Sequence, residues 1–416
     1  MNSPKTSVQT SAPVAALRAA LPTDVNAKVD EALAAVHRLD ESVVACVDGL
    51  GRLSDYSSYG NKAACFARAS DVEIGILRGA VLERFPAFAR LRQEATRLPP
   101  LASQRIISRL DSALEDAVET SALAAEPAFL KIKDVFSGKE HIDKLSSDQL
   151  AKLGTIQDLH LAYHYLQTIP AAAWGPIAEQ LGKVRSLDFS QNNLDSLSID
   201  SWRLLAPQLG KLKFLNLTNN DLSKLSPEVW ELLAPELAKV PALDLTGALH
   251  ALSPKVWSLL APALGSVKWL DLSSNGLWQL SPEIWRMLAA NLGKQRFLSL
   301  RDNFLWRRLD AEAWGSIVPG LSQLKGLDLS ENNCSVFPHD VWPVLAPALG
   351  RLRYFRCSKA KLAELHPQDW SVLAPELMKI PALDISVNRL HGWKTRLNPA
   401  AWAPLSARPK GPDFQY

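Results

Sequence analysis

The chain offers few residues suited to covalent chemistry. Its 416 residues include four cysteines, Cys46, Cys65, Cys334 and Cys357, and eight histidines. A thiol nucleophile needs a base beside it, and the histidines stand apart from both Cys46 and Cys65, so a Cys/His pair would have to be assembled over long range. Cys46-Val47-Asp48 sets a thiol two residues before a carboxylate. No CxxC spacing, P-loop, HExxH, GxSxG or kinase signature occurs. The expectation is a protein without catalytic residues, bound metal or cofactor, with its thiols reduced in a cytosolic setting.

Residues suited to recognition are more numerous. Phe214, Trp269, Phe297 and Tyr354 each stand immediately before a leucine or phenylalanine, at corresponding places in successive segments. Small residues, Ala242 and Gly326, occupy the same place between them. If this column faces solvent, its rings are interface anchors; the alternative is that they only stack across neighbouring strands. Two positions on runs His160, Asp188, Asn216, Asp244, Asp271, Ser299, Asp328, Arg356, Asp384. Arg356 in this column and Arg301 near it could orient a carboxylate or phosphate on a partner. The expected partner-binding set is therefore Phe214, Trp269, Phe297, Arg301, Tyr354 and Arg356.

These residues ride on a repeat. LDFSQNNL (187–194), LNLTNNDL (215–222), LDLSSNGL (270–277), LSLRDNFL (298–305) and LDISVNRL (383–390) recur at about 28 residues, with LHLAYHYL (159–166), LDLTGAL (243–249), LDLSENNC (327–334) and FRCSKAKL (355–362) between and around them. This resembles the leucine-rich-repeat signature in its long, ribonuclease-inhibitor-like form. Leucines alternating with polar residues predict a short strand per unit. Ser-Pro-Glu, as at 226–228, predicts the start of a returning helix. Strands stack ~4.8 Å apart whereas helices need ~10 Å, so the fold class is α/β, a horseshoe with a parallel concave sheet of about nine strands and convex helices.

A tryptophan recurs early in each helix, at Trp174, Trp202, Trp230, Trp257, Trp285, Trp314, Trp342, Trp370 and Trp402. Because the space between helix and sheet recurs, these rings are expected to be core. Pro207, Pro235, Pro262, Pro319, Pro347 and Pro375 follow five residues later and predict helices that bend or restart. Asn192, Asn220, Asn275, Asn303, Asn332 and Asn388 occupy the ladder position in which, by resemblance, buried amides satisfy loop backbone. His164, Ala248 and Ala360 interrupt it.

The remaining sequence divides around the repeats of 141–402. Residues 1–23 lack Asp and Glu and are rich in Ser, Thr, Pro and Gln, a composition that buries little. This opening resembles the secretion signals of bacterial type III effectors that carry leucine-rich repeats. Residues 24–140 show helical periods, Val25 to Leu50, Ile74 to Phe88 and Ile107 to Val118, and 403–416 form a tail. The net charge of +3 gives no electrostatic case for nucleic acid or a membrane surface, and no apolar run reaches the ~20 residues of a membrane-spanning helix.

The resemblance implies a protein partner in a host cell, bound by the concave face, and secretion as the localisation; otherwise the protein is a cytoplasmic scaffold. A third reading is a ubiquitin-pathway adaptor or ligase. Cys46-Val47-Asp48 is similar to the Cys-x-Asp of bacterial leucine-rich-repeat ubiquitin ligases, although there the catalytic domain follows the repeats. The segment from Leu21-Pro22 through Val25, Val29 and Leu33 resembles an F-box opening without its Trp-containing second half.

Overall fold

The computed structural model describes Arg78, Leu82 and residues 87–98, 100–122, 130–131 and 141–386 except 293–294, 308, 322–323 and 381, together with Asn388 and Phe414–Gln415. Two compact units divide the chain. The first contains the helix Ala87–Ala95. Another helix begins at Pro100 and runs to Ala122, with its residues up to Val118 in this unit. Phe88, Leu91 and Ala95 on one helix, and Ile106, Leu110, Ala113 and Leu114 on the other, are buried. Ile106, rather than the expected Ile107, heads that second face. Arg92 adds a two-pronged pair to Asp111 at 2.9 and 3.1 Å.

In the second unit every strand is parallel and pairs with its sequence neighbours, in the order β1 to β11. The strands are β1 (Leu130–Lys131), β2 (Asp158–His160), β3 (Ser186–Asp188), β4 (Phe214–Asn216), β5 (Ala242–Asp244), β6 (Trp269–Asp271), β7 (Phe297–Ser299), β8 (Gly326–Asp328), β9 (Tyr354–Arg356), β10 (Ala382–Asp384) and β11 (Phe414–Gln415). Leu130 pairs with Leu159 and Leu383 with Phe414, so among the described residues the sheet reaches from 130–131, within the stretch read for helical periods, to 414–415 in the tail. Two-residue strands carry no leucine repeat, which is why the pattern stopped at nine.

The central leucines Leu159, Leu187, Leu215, Leu243, Leu270, Leu298 and Leu327 are fully covered and form one continuous core with the helices. The eight described series tryptophans, from Trp174 to Trp370, are at most 2% exposed. Trp402 lies outside the described residues. Large rings early in each helix fill the recurring wedge between helix and sheet, and each removes a large apolar area from water.

Local chemistry sets the helix ends. Ser198 and Ser253 accept the N–H groups of Ser201 and Val256 at 3.2 and 3.4 Å. Ser226 holds the cap position with Pro227 behind it but makes no side-chain cap bond, unlike the expectation. The helices do not restart at the prolines: Ile199–Leu209, Pro227–Leu237, Pro254–Leu264, Ala311–Leu321, Val341–Leu349 and Pro367–Leu377 each run through theirs. All six prolines, and the residues four before them such as Arg203 and Glu231, lie on the exposed face. The carbonyl that loses its donor therefore faces water, and the helix continues.

Candidate recognition surface

The loops after β2, β3, β5, β6, β7 and β9 are fixed by the asparagine ladder. Asn192 Oδ1 accepts the N–H groups of His164 at 2.9 Å and Leu166 at 3.4 Å in the preceding unit. Asn220, Asn303, Asn332 and Asn388 repeat the arrangement, and Asn275 takes the single N–H of Leu249 at 2.7 Å; each also donates its Nδ2 to carbonyls such as Phe189 O, at 2.9 Å from Asn220. Alanine at 248 and 360 offers no such amide. The ladder residue is flanked by left-handed backbone on both sides, for example Asp302 (φ 52°) and Phe304 (φ 52°) around Asn303. Such non-glycine conformations are costly and persist because the amide bonds over-determine the loop. Side chains on this rim are consequently held in place.

The aromatic column differs from its expectation. Trp269, Phe297 and Tyr354 are 5%, 2% and 2% exposed, and Phe214 is half-buried. They are outside the leucine core, on the other side of the sheet, and form a run: Phe214 to Trp269 6.3 Å, Trp269 to Phe297 5.8 Å and stacked with planes 10° apart, Phe297 to Tyr354 6.1 Å. Ala242 and Gly326 face this column from the paired strands. Rings separated by only one small residue lean over it, and their mutual stacking supplies part of their cover. They are not open anchors. Burial and the neighbouring Asp328 raise the Tyr354 hydroxyl well above the ordinary tyrosine range.

The polar column is engaged as well. Asp188, Asp244, Asp271, Asp328 and Asp384 each accept the backbone N–H two residues on, at 2.8–3.0 Å. These carboxylates close the strand end, a job the sequence reading did not assign them. Burial, followed by repulsion from Asp244, lifts the Asp271 carboxyl to about 7. Arg356 Nε lies 2.9 Å from Asp384, and Arg301 donates to Glu331 at 3.0 Å. Lys359 donates to the same Glu331 oxygen at 3.1 Å. Both expected partner-orienting arginines thus hold carboxylates of their own chain.

Solvent meets aromatic groups on the rim instead. Tyr163 is 64% exposed, Tyr165 59% and Phe304 41%. Around Phe304, the Arg307 guanidinium lies 4.8 Å from the Trp278 ring, 5.3 Å from Trp306 and 5.4 Å from Phe304, inside cation–π range of all three. The sequence reading passed over this cluster. Its signal was present: Leu277-Trp278 and Leu305-Trp306 repeat a tryptophan outside the helical series, one unit apart.

Among the described residues no set of three or more His, Cys, Asp or Glu side chains gathers as metal ligands. No described helix is long and apolar enough to cross a membrane. Cys46, and the segment 21–33 compared with an F-box, lie outside the described residues.

Comparison with known proteins agrees with the geometry. The Leucine Rich Repeat model matches residues 211–233, the unit around β4. No curated protein matches the sequence. The leucine-rich repeat-containing protein LegL7 from Legionella pneumophila has a similar fold, with a TM-score of 0.51 at 17% identity, covering 70% of this chain and 98% of that one. A chain of the yeast Rad7 and Elc1 complex aligns at a TM-score of 0.33 and 15% identity, over 62% of this chain and 77% of that one. Parallel one-strand units, convex helices and the buried asparagine ladder make the second unit a leucine-rich-repeat solenoid, a fold suited to binding other proteins.

Proposed function

We propose that this protein is a non-enzymatic binding module, delivered by a bacterium into a host cell, that engages a host protein with the concave side of its repeats and the loop rim beside it. One observation carries the binding surface. Of the exposed large apolar side chains among the described residues, Tyr163, Tyr165, Phe304 and Val336 sit between a strand and the following α-helix, Val336 in a 3-10 turn, and Leu204 alone on an α-helix. Exposed rings on a rigid edge lose little conformational freedom when a partner covers them. The acid-free composition of residues 1–23 supports the secretion half of the reading.

Photo-crosslinking tests the surface. A benzoylphenylalanine at Tyr165 or Phe304 should trap a host protein, and the same probe at Leu204 should not. Equal trapping at all three removes the rim from the proposal. A reporter fused to residues 1–50 tests delivery, and its retention in a type III-competent cell overturns the secretion half.

A further inference from the structure

We infer that the cluster of Trp278, Phe304, Trp306 and Arg307 is the docking point for an acidic segment of the partner, a short stretch carrying Asp or Glu beside apolar residues. The inference deepens the rim reading above and rests on it. Its first support is the contrast among arginines. Arg301 and Arg356 face Glu331 and Asp384, whereas the Arg307 side chain is exposed and, among the described residues, forms no hydrogen bond or ion pair, lying instead beside the three rings. A guanidinium has five N–H donors in a planar fork, and stacking on a ring face uses none of them. The donors remain available at the edge of the plane.

The second support is placement. Phe304 belongs to the left-handed loop position and Trp306 to the single turn of 3-10 helix Leu305–Arg307 that follows it. Trp278 comes from the equivalent turn Leu277–Gln279 of the preceding unit. The ladder pins both turns: Asn303 Oδ1 accepts Leu277 N–H at 3.2 Å, and Asn332 Oδ1 accepts Leu305 N–H at 3.3 Å. A cation fixed between rings loses less rotamer freedom on meeting an anion than one on a free stem. Trp306 packs partly against the core and so gives the cluster a fixed floor.

Charge and shape select the occupant. The fork fits a carboxylate with two parallel N–H···O bonds, and the rings flanking it suit the apolar residues on either side of that carboxylate. A partner segment with Lys or Arg there would meet Arg307 as a like charge.

Random short peptides displayed on phage, selected on the immobilised full-length protein, test the inference. Sequences pairing Asp or Glu with Leu, Phe or Trp should be enriched, and Arg307→Glu should lower their binding by about tenfold or more. A selected peptide is then remade with Gln, and separately with phosphoserine, at its acidic position. The Gln version should bind about tenfold more weakly and the phosphoserine version no more tightly than the parent. Enrichment without acidic residues, no enrichment, binding indifferent to Arg307→Glu, or preference for phosphoserine each overturns it. Arg307→Glu gives up only exposed ring contacts, so its melting temperature should fall by no more than a few degrees, and a cooperative melt confirms that lost binding is not lost folding. If the rim crosslinks to a host protein yet selects no acidic peptide, the acidic-segment inference fails alone; if it crosslinks to nothing, the binding surface fails with it.

Discussion

Asn303 Oδ1 accepts the backbone N–H of Asn275 at 2.9 Å, so each ladder amide secures the loop of the unit before its own. The same oxygen takes Leu277 N–H at 3.2 Å, while Nδ2 donates to Leu272 O at 2.9 Å and Arg301 O at 3.1 Å. Replacing Asn303 with Ala leaves several buried backbone groups unmatched and is expected to cost roughly 2–4 kcal/mol. Urea unfolding of Asn303→Ala against wild type measures this, and a loss near zero would show that water takes over the role.

Trp230 is wholly buried between its helix and the sheet. Trp230→Ala should cost ~3–5 kcal/mol, by lost burial together with the cavity left behind. Chemical denaturation of the variant is the measurement, with Leu204→Ala on the exposed helix face as a control near zero.

Because Trp269 and Phe297 stack at 5.8 Å, removing one ring should diminish the effect of removing the other. A double-mutant cycle of Trp269→Ala and Phe297→Ala is expected to show a coupling of about 0.5–1.5 kcal/mol, with each single variant clearly destabilised. Stability unchanged in both would return these rings to the class of exposed anchors.

The Asp271 carboxyl titrates at about 7, raised first by burial and then by Asp244 across the strand pair. A raised carboxyl pKa means that the folded chain holds this proton more tightly than the unfolded chain does. The favourable contribution is therefore full below about pH 4, where the unfolded carboxyl would also be protonated, and disappears as pH rises through 7. Asp271→Asn should melt a few degrees above wild type at pH 8, with the gap closing towards pH 5. Asn keeps an oxygen for Ser273 N–H, so the strand end survives the change.

Cys334 and Cys357 are buried with their sulfurs 3.7 Å apart. Contact with Cys334, then burial, holds the Cys357 thiol well above the ordinary range, so little thiolate exists at neutral pH. Iodoacetamide should label both only after denaturation, as read by peptide mapping; fast labelling of the native chain would contradict this.

The repeat was readable because Leu215 and its counterparts bury the same side of every strand and the series tryptophans fill the same wedge. Periodicity reports those two facts directly. It does not report what shares the other side of the sheet. Trp269 looked open because small residues flank it, and those small residues are what allow the rings to close over one another. Nor does it report the prolines' azimuth: Pro207 is tolerated because Arg203, four residues earlier, is exposed. Arg307 was missed for a related reason, since its cage takes rings from two units that are one turn of chain apart in space and 28 residues apart in sequence, as Trp278 and Trp306 are.

The unit at 243–249 lacks one residue, has Ala248 in place of the ladder amide, and puts its left-handed backbone at Gly247 and Ala251 rather than on either side of a single position. Asn192 and Asn220 are thus cross-tied on one side of it, and Asn275, Asn303 and Asn332 on the other. The 243–249 unit is tied forward by Asn275, which takes Leu249 N–H at 2.7 Å, but gives no amide back to the Asn220 loop, and Ala360 leaves the Asn332 loop in the same position. Those two seams rest on main-chain bonds, such as Asn219 N–H to Thr246 O at 2.9 Å, and on helix packing. A ligand laid across either seam would supply a cross-tie that the ladder omits there.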